Sequence, residues 1–114
     1  MKECLFCKIA SKELPAEFVW EDEQVIAIKD VNPVAPTHIL LIPKKHISSI
    51  NEATNDDLEL IGHMQIIAAQ VAKKLEIAES GYRLVNNCGE QGGQTVNHIH
   101  YHLLGGRHMG WPPG

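Results

Sequence analysis

Thr95-Val96-Asn97-His98-Ile99-His100-Tyr101-His102-Leu103-Leu104 alternates imidazole and apolar side chains from His98 onward. An extended chain points successive residues to opposite faces. A strand over 95–104 therefore turns Ile99, Tyr101 and Leu103 into a core and places His98, His100 and His102 together, in a cleft or on a surface. Such a strand needs a sheet to join, and the preceding residues supply one. Tyr82 to Asn86 reads as a strand, connected to it by the glycine-rich loop Cys88-Gly89-Glu90-Gln91-Gly92-Gly93-Gln94. His38 to Ile42 is a continuous apolar run closed by Pro43, the pattern of a central strand covered on both faces.

Glu17–Trp20 and Val25–Lys29, separated by Glu21-Asp22-Glu23-Gln24, read as a hairpin. Thr54 and Asp57 form a capping pair. The apolar residues Leu58, Ile61, Ala68, Val71 and Leu75 then recur at helical spacing, predicting a long helix to about Ala78, with Gly81 at its exit. Cys4 to Ser11 carries a weak one-faced pattern, a short helix ended by Pro15. The order helix, hairpin, strand, long helix, two strands defines an α+β fold with an antiparallel sheet.

The 114 residues fit one domain, 1–114. A hydrophobic content of 44% supports a packed core. The formal charge of -4 argues against a nucleic-acid-wrapping surface or a polybasic membrane anchor, and still permits a small anionic ligand. No run of eighteen apolar residues predicts a spanning helix, and Met1-Lys2-Glu3-Cys4 opens nothing resembling a signal peptide. Three cysteines, Cys4, Cys7 and Cys88, give no even disulfide framework. They suit a reducing compartment, so the expected location is the cytoplasm.

Three imidazoles on one face can hold a metal or handle phosphate, a neutral ring attacking while its neighbours donate hydrogen bonds. The adjacent loop favours phosphate, because Gly89, Gly92 and Gly93 permit backbone conformations that gather N–H groups into an anion nest, and Thr95 adds a hydroxyl. Cys4-Leu5-Phe6-Cys7 is a separate Cys-x-x-Cys pair. It reads as two packed thiols, half of a Cys2His2 zinc centre, or a redox dithiol. Asp30, ahead of Asn32-Pro33, reads on its own as the cap of a turn.

His98 to Leu104 matches the His-x-His-x-His-x-x signature, with apolar x, of the histidine triad (HIT) family. The likeness extends through Ala35-Pro36-Thr37-His38, Ile42-Pro43-Lys44-Lys45-His46-Ile47, Gly81-Tyr82-Arg83, Gly92-Gly93-Gln94 and Trp111-Pro112-Pro113-Gly114, and the chain most resembles the Hint-like nucleoside phosphoramidase branch. The resemblance implies a five-stranded antiparallel sheet with one long helix and a short N-terminal helix, paired as a homodimer with the tail around Trp111 near the partner's site. It implies hydrolysis of purine nucleoside 5'-phosphoramidates, with His100 as nucleophile flanked by His98 and His102. Asp30 would hold the ribose, Asn87, Gly93, Gln94 and Thr95 would lie on the phosphate side, and Phe6, Ile9 and Ile28 in the base pocket. Some bacterial members also carry a structural zinc at the positions of Cys4, Cys7, His46 and His98.

Three rival functions follow. One is a dinucleoside polyphosphate hydrolase of the Fhit-like branch, against which Gly105-Gly106-Arg107 and the Trp-Pro-Pro-Gly tail count. Another is a metallohydrolase with one ion on His98, His100 and His102, a spacing that spans too far on a flat strand. The last is a purine nucleotide-binding protein without turnover.

Overall fold

A computed structural model describes residues 3–114; Met1 and Lys2, where the reading of no signal peptide begins, lie outside the described residues. Five antiparallel strands form one sheet: β1 (Phe18–Glu21), β2 (Val25–Lys29), β3 (Thr37–Pro43), β4 (Tyr82–Asn86) and β5 (Tyr101–Gly105), in the order β1-β2-β3-β5-β4. The short helix α1 spans Leu5–Ala10 and the long helix α2 spans Leu58–Lys74. This is the architecture expected from the sequence. No helix among the described residues is long and apolar enough to cross a membrane.

The two sheet faces are closed by different helices. α2 lays Met64, Ile67, Ala68 and Val71 over Val25, Ala27, Ile39, Leu41, Ile99 and Leu103. Phe6 and Ile9 of α1 cover Ile26, Ile28, Leu40 and Ile42 on the opposite face. Strand β3 thus buries both of its faces, as its unbroken apolar run requires.

Two element boundaries differ from expectation. The Thr54–Asp57 capping box is present but opens a 3-10 turn over Asn55–Asp57, and α2 ends at Lys74 rather than near Ala78. Glu76 turns left-handed at φ 62°, and Ile77 drops onto the sheet, where a Cβ added to Gly105 would lie 2.6 Å from its Cδ1. The expected strand 95–104 is ladder-paired only from Tyr101. Its first half is drawn aside: Gln94 Nε2 donates to Ser48 O and Val96 O, and the Ile99 N–H donates to Ile47 O at 2.6 Å. Alternation nevertheless survives, because Ile99 and Leu103 are in the α2-side core and Tyr101 packs against it.

His63, to which the sequence assigns no role, joins α2 to the first hairpin through a 2.7 Å contact of its Nε2 with Asp22 Oδ2. Trp20 Nε1 donates to the same oxygen, while the Gln24 and Val25 amides donate to Oδ1. Burial alone would raise the Asp22 carboxyl, but these hydrogen bonds outweigh it and hold it at about 2. Since the folded value lies below the unfolded value of about 3.9, the stabilisation is complete above that pH and disappears as pH falls to about 2. Asp22→Asn is expected to cost on the order of 2 kcal/mol at pH 7 and to narrow the gap from wild type as pH falls through that window. Urea unfolding at pH 7, 4 and 2.5 checks both.

Candidate active site

The three histidines face three different partners. His98 is fully buried; its Nε2 lies 2.7 Å from Pro43 O, and a carbonyl can only accept, so Nε2 carries the proton. Its Nδ1 lone pair then points at Cys4 Sγ (3.3 Å), Cys7 Sγ (3.5 Å) and His46 Nδ1 (3.1 Å), while Cys7 Sγ lies 3.4 Å from His46 Nδ1. All four ligand atoms fall within 4.8 Å of one another. A tetrahedral zinc with sulfur at about 2.3 Å and nitrogen at about 2.0 Å has ligand–ligand edges of about 3.3–3.6 Å between unlike and nitrogen pairs. Those contacts fit such a centre, and the His98 Nε2–H···O=C bond is the outer support that a ligating imidazole normally has. Burial raises the Cys7 thiol, as does its hydrogen bond with Cys4.

His100 Nδ1 lies 2.8 Å from His98 O and donates to it, leaving Nε2 with its lone pair. The ring is buried and meets the edge of Phe6 at a centroid distance of 4.9 Å. Burial lowers its pKa despite the opposing carbonyl bond, which favours the neutral, nucleophilic form. The expectation of a cleft or surface for the triad needs correcting here: α1 roofs His98 and His100 with Phe6, and only His102 stays half-buried.

His102 is oriented by a residue the sequence reading placed in a motif without giving it a role. The Val34 amide donates to His38 Nδ1 at 3.1 Å. That nitrogen must therefore be the acceptor, so the His38 proton is on Nε2, which faces His102 Nδ1 at 2.9 Å and Asp30 Oδ2 at 3.4 Å. His102 Nδ1 accepts, and its own proton is on Nε2. Burial, followed by the neighbouring His100 and His38, pushes the His102 pKa down to about 4, so it serves as a neutral N–H donor at pH 7. Asp30, His38 and His102 also form a three-residue cluster of metal-binding atom types. Yet His38 has one nitrogen accepting and the other protonated, which leaves it no lone pair for an ion. With the triad nitrogens aimed apart, the single-ion metallohydrolase arrangement is absent.

Asp30 does both things open to it: Oδ1 accepts the Asn32 amide at 2.7 Å, closing a turn, while Oδ2 faces His38. Phe6, Ile9 and Ile28 come together in one apolar cluster beside His100. Asn87 lines a groove with His102 and donates through Nδ2 to Gly92 O. The glycine loop does not form the expected open nest. The Gly93 amide donates to Glu90 O, the Gln94 amide to Gly89 O, and the Gly89 amide to Gln94 Oε1. Gln94 thus pins the loop with its side chain. Thr95 is exposed and borders a separate cavity of about 850 Å³ with Cys4 and His46. His38 was legible only as the start of a strand, since no sequence pattern gives the cross-strand register that sets Leu40 opposite His102.

A buried imidazole with one free ring nitrogen, fixed by a main-chain carbonyl, lies beside a second imidazole fixed by a histidine side chain, an arrangement able to support nucleophilic chemistry. The HIT domain family model matches residues 11–109. A HIT-like protein of Synechocystis sp. is 49% identical over 113 residues, covering 99% of this chain and 98% of the relative. Among solved structures, a HIT family hydrolase from Legionella pneumophila Philadelphia 1 is 54% identical with a TM-score of 0.97, covering 98% of this chain and 100% of its own. A HIT family hydrolase from Clostridium thermocellum is 52% identical with a TM-score of 0.94, covering 96% of each chain. The chain belongs to the HIT family.

Proposed function

We propose that the protein hydrolyses the P–N bond of purine nucleoside 5'-phosphoramidates and releases AMP or GMP through a nucleotidyl-histidine intermediate. The observation that carries this reading is the His100 Nδ1–H···O=C bond to His98, which leaves His100 Nε2 as a neutral nucleophile. Hydrolase relatives support the water-consuming second step.

In the first step His100 Nε2 attacks phosphorus, the P–N bond breaks, and its electron pair leaves on the amine, which takes up a proton. In the second, water attacks phosphorus, the P–Nε2 bond breaks with its pair returning to His100, and the water's proton goes to solvent. His102 Nε2–H stabilises the equatorial oxygens as charge redistributes. The apolar residues Phe6, Ile9 and Ile28 take the base and Asp30 the ribose. Asn87, with the loop at Gly93 and Gln94, borders the phosphate, while Thr95 opens onto the separate cavity beside Cys4 and His46. Cys4, Cys7, His46 and His98 would hold a zinc ion, which supplies structural cross-linking between the N-terminal helix and the triad segment. A homodimer is part of the proposal: strand β4 is an edge, Leu58 and Ile66 of α2 are exposed, and so is Trp111 in the tail.

Incubating the protein with adenosine 5'-phosphoramidate tests this reading. Steady AMP release with rapid-quench labelling of a histidine is the expected result. Tight AMP binding with no turnover would leave a nucleotide-binding protein instead, and preferential cleavage of a diadenosine polyphosphate would point to the Fhit-like activity.

A further inference from the structure

Cys4 and Cys7 stand three residues apart on the first turn of α1, where Cys4 is the N-cap and its Sγ accepts the Cys7 amide at 3.4 Å. Their sulfurs and the ligand atoms of His46 and His98 lie within 4.8 Å of one another. The cluster is enclosed on one side only. His98 is fully buried, whereas Cys4, Cys7 and His46 are half-buried. A cavity of about 850 Å³ opens beside it, bordered among the described residues by Cys4 and His46 together with Glu3, Thr95 and Asn97. Cys7 does not border it. Four protein donors fill the coordination shell of a zinc ion, yet they leave Cys4 open to small solutes in that cavity. Coordinated sulfur is held as thiolate, the form that reacts with oxidants. Cys88 is in the loop after β4, outside the cluster.

The helix that carries the pair also roofs the site. Phe6, between the two cysteines, meets His98 and His100 edge-on at centroid distances of 6.0 and 4.9 Å. His98 in turn supplies the carbonyl that accepts the His100 Nδ1–H. We propose that Cys4 and Cys7 form a peroxide-sensitive pair, whose oxidation to a disulfide releases zinc and loosens α1 over His100. The inference rests on the zinc reading of the cluster and goes beyond it. Cys4 thiolate attacks one oxygen of hydrogen peroxide: an S–O bond forms, the O–O bond breaks, and the departing hydroxide takes up a proton. Cys7 thiolate then attacks the Cys4 sulfur: the S–S bond forms, the S–O bond breaks, and the second hydroxide is protonated. The sulfurs lose two electrons, the peroxide gains them, and two waters result. Sulfurs joined to each other are no longer anionic donors, and His46 and His98 alone are too few to keep a structural zinc. The tie from α1 to the segment before β5 is then gone.

The test titrates the wild-type chain, purified with its zinc, with hydrogen peroxide. Zinc freed to a chromogenic chelator, remaining thiols and the masses of the cysteine peptides are followed together. About one zinc should appear for each two thiols lost, with a disulfide mapped to Cys4 and Cys7 and not to Cys88. Amide hydrogen exchange in α1 should quicken about tenfold or more as the zinc leaves, and dithiothreitol with added zinc should restore the starting rate and Tm. Zinc retained while other residues oxidise, or zinc lost with irreversible sulfinic acid instead of a disulfide, overturns the inference and leaves the zinc reading intact. Unchanged α1 exchange after release overturns the coupling to the roof of the site. A chain that holds no zinc after growth with the metal supplied fails the zinc reading instead. The pair is then judged by the disulfide alone, and two free thiols after peroxide treatment overturn it.

Discussion

His100→Ala is expected to suppress AMP release from adenosine 5'-phosphoramidate by about four to six orders of magnitude, the scale on which removing a covalent nucleophile acts. No other group can take over. His98 Nδ1 faces the Cys4, Cys7 and His46 cluster, and His102 Nδ1 is held by His38. His102→Ala should be milder, raising the barrier by about 2–4 kcal/mol through the loss of one positioned donor. The two variants differ in what remains: His102→Ala should still accumulate a labelled His100 in rapid quench, while His100→Ala should label nowhere. Circular dichroism and AMP binding establish that each variant is folded. Equal residual rates in the two would remove His100 from the role of nucleophile.

Zinc is the second large effect. Purified protein is expected to carry about one zinc per chain, and Cys7→Ser or prolonged chelation should remove it. Structural zinc sites contribute many kcal/mol to folding in small domains. A loss of even 3–4 kcal/mol here would lower Tm by roughly 10–20 °C. The fall should be steep because the four donors come from distant parts of the chain: α1 with its N-cap, the loop after β3, and the segment before β5. The two cysteines are not equal bystanders, since Cys4 Sγ also accepts the Cys7 amide and caps α1. Metal analysis and thermal melts of wild type and Cys7→Ser decide the matter. A protein purified without zinc, melting at the same temperature as Cys7→Ser, would show that the cluster is only thiol and imidazole packing.

Much of this molecule was readable from residue order. The unbroken apolar run of β3 announces a strand buried on both sides, and the Thr54–Asp57 pair announces the approach to α2. Alternation in Ile99, Tyr101 and Leu103 survives even where ladder pairing stops. What could not be read depends on contacts distant in sequence. The first half of the 95–104 segment looks like a strand because its local pattern is a strand's. It leaves the ladder where the Ile99 N–H bonds Ile47 O instead and the His98 ring turns to Cys4, Cys7, His46 and Pro43 O. The glycine loop looks like an anion nest because its glycines permit one. Gln94 instead closes it, its Oε1 accepting the Gly89 N–H while its Nε2 donates to Ser48 O and Val96 O outside the loop. His38 escaped a role because only the β3–β5 register brings it to His102. The ending of α2 four residues early has the same origin, in the packing of Ile77 against Gly105 at the end of the interior strand β5.

The proton positions of the triad and of His38 are set by three main-chain atoms: Pro43 O, His98 O and the Val34 N–H, the last acting on His102 through His38. Main-chain atoms are the same whatever side chain a position carries. Evolution could therefore rewrite the surrounding side chains, and with them the choice of substrate, while the nucleophile's readiness passed unaltered from ancestor to descendant.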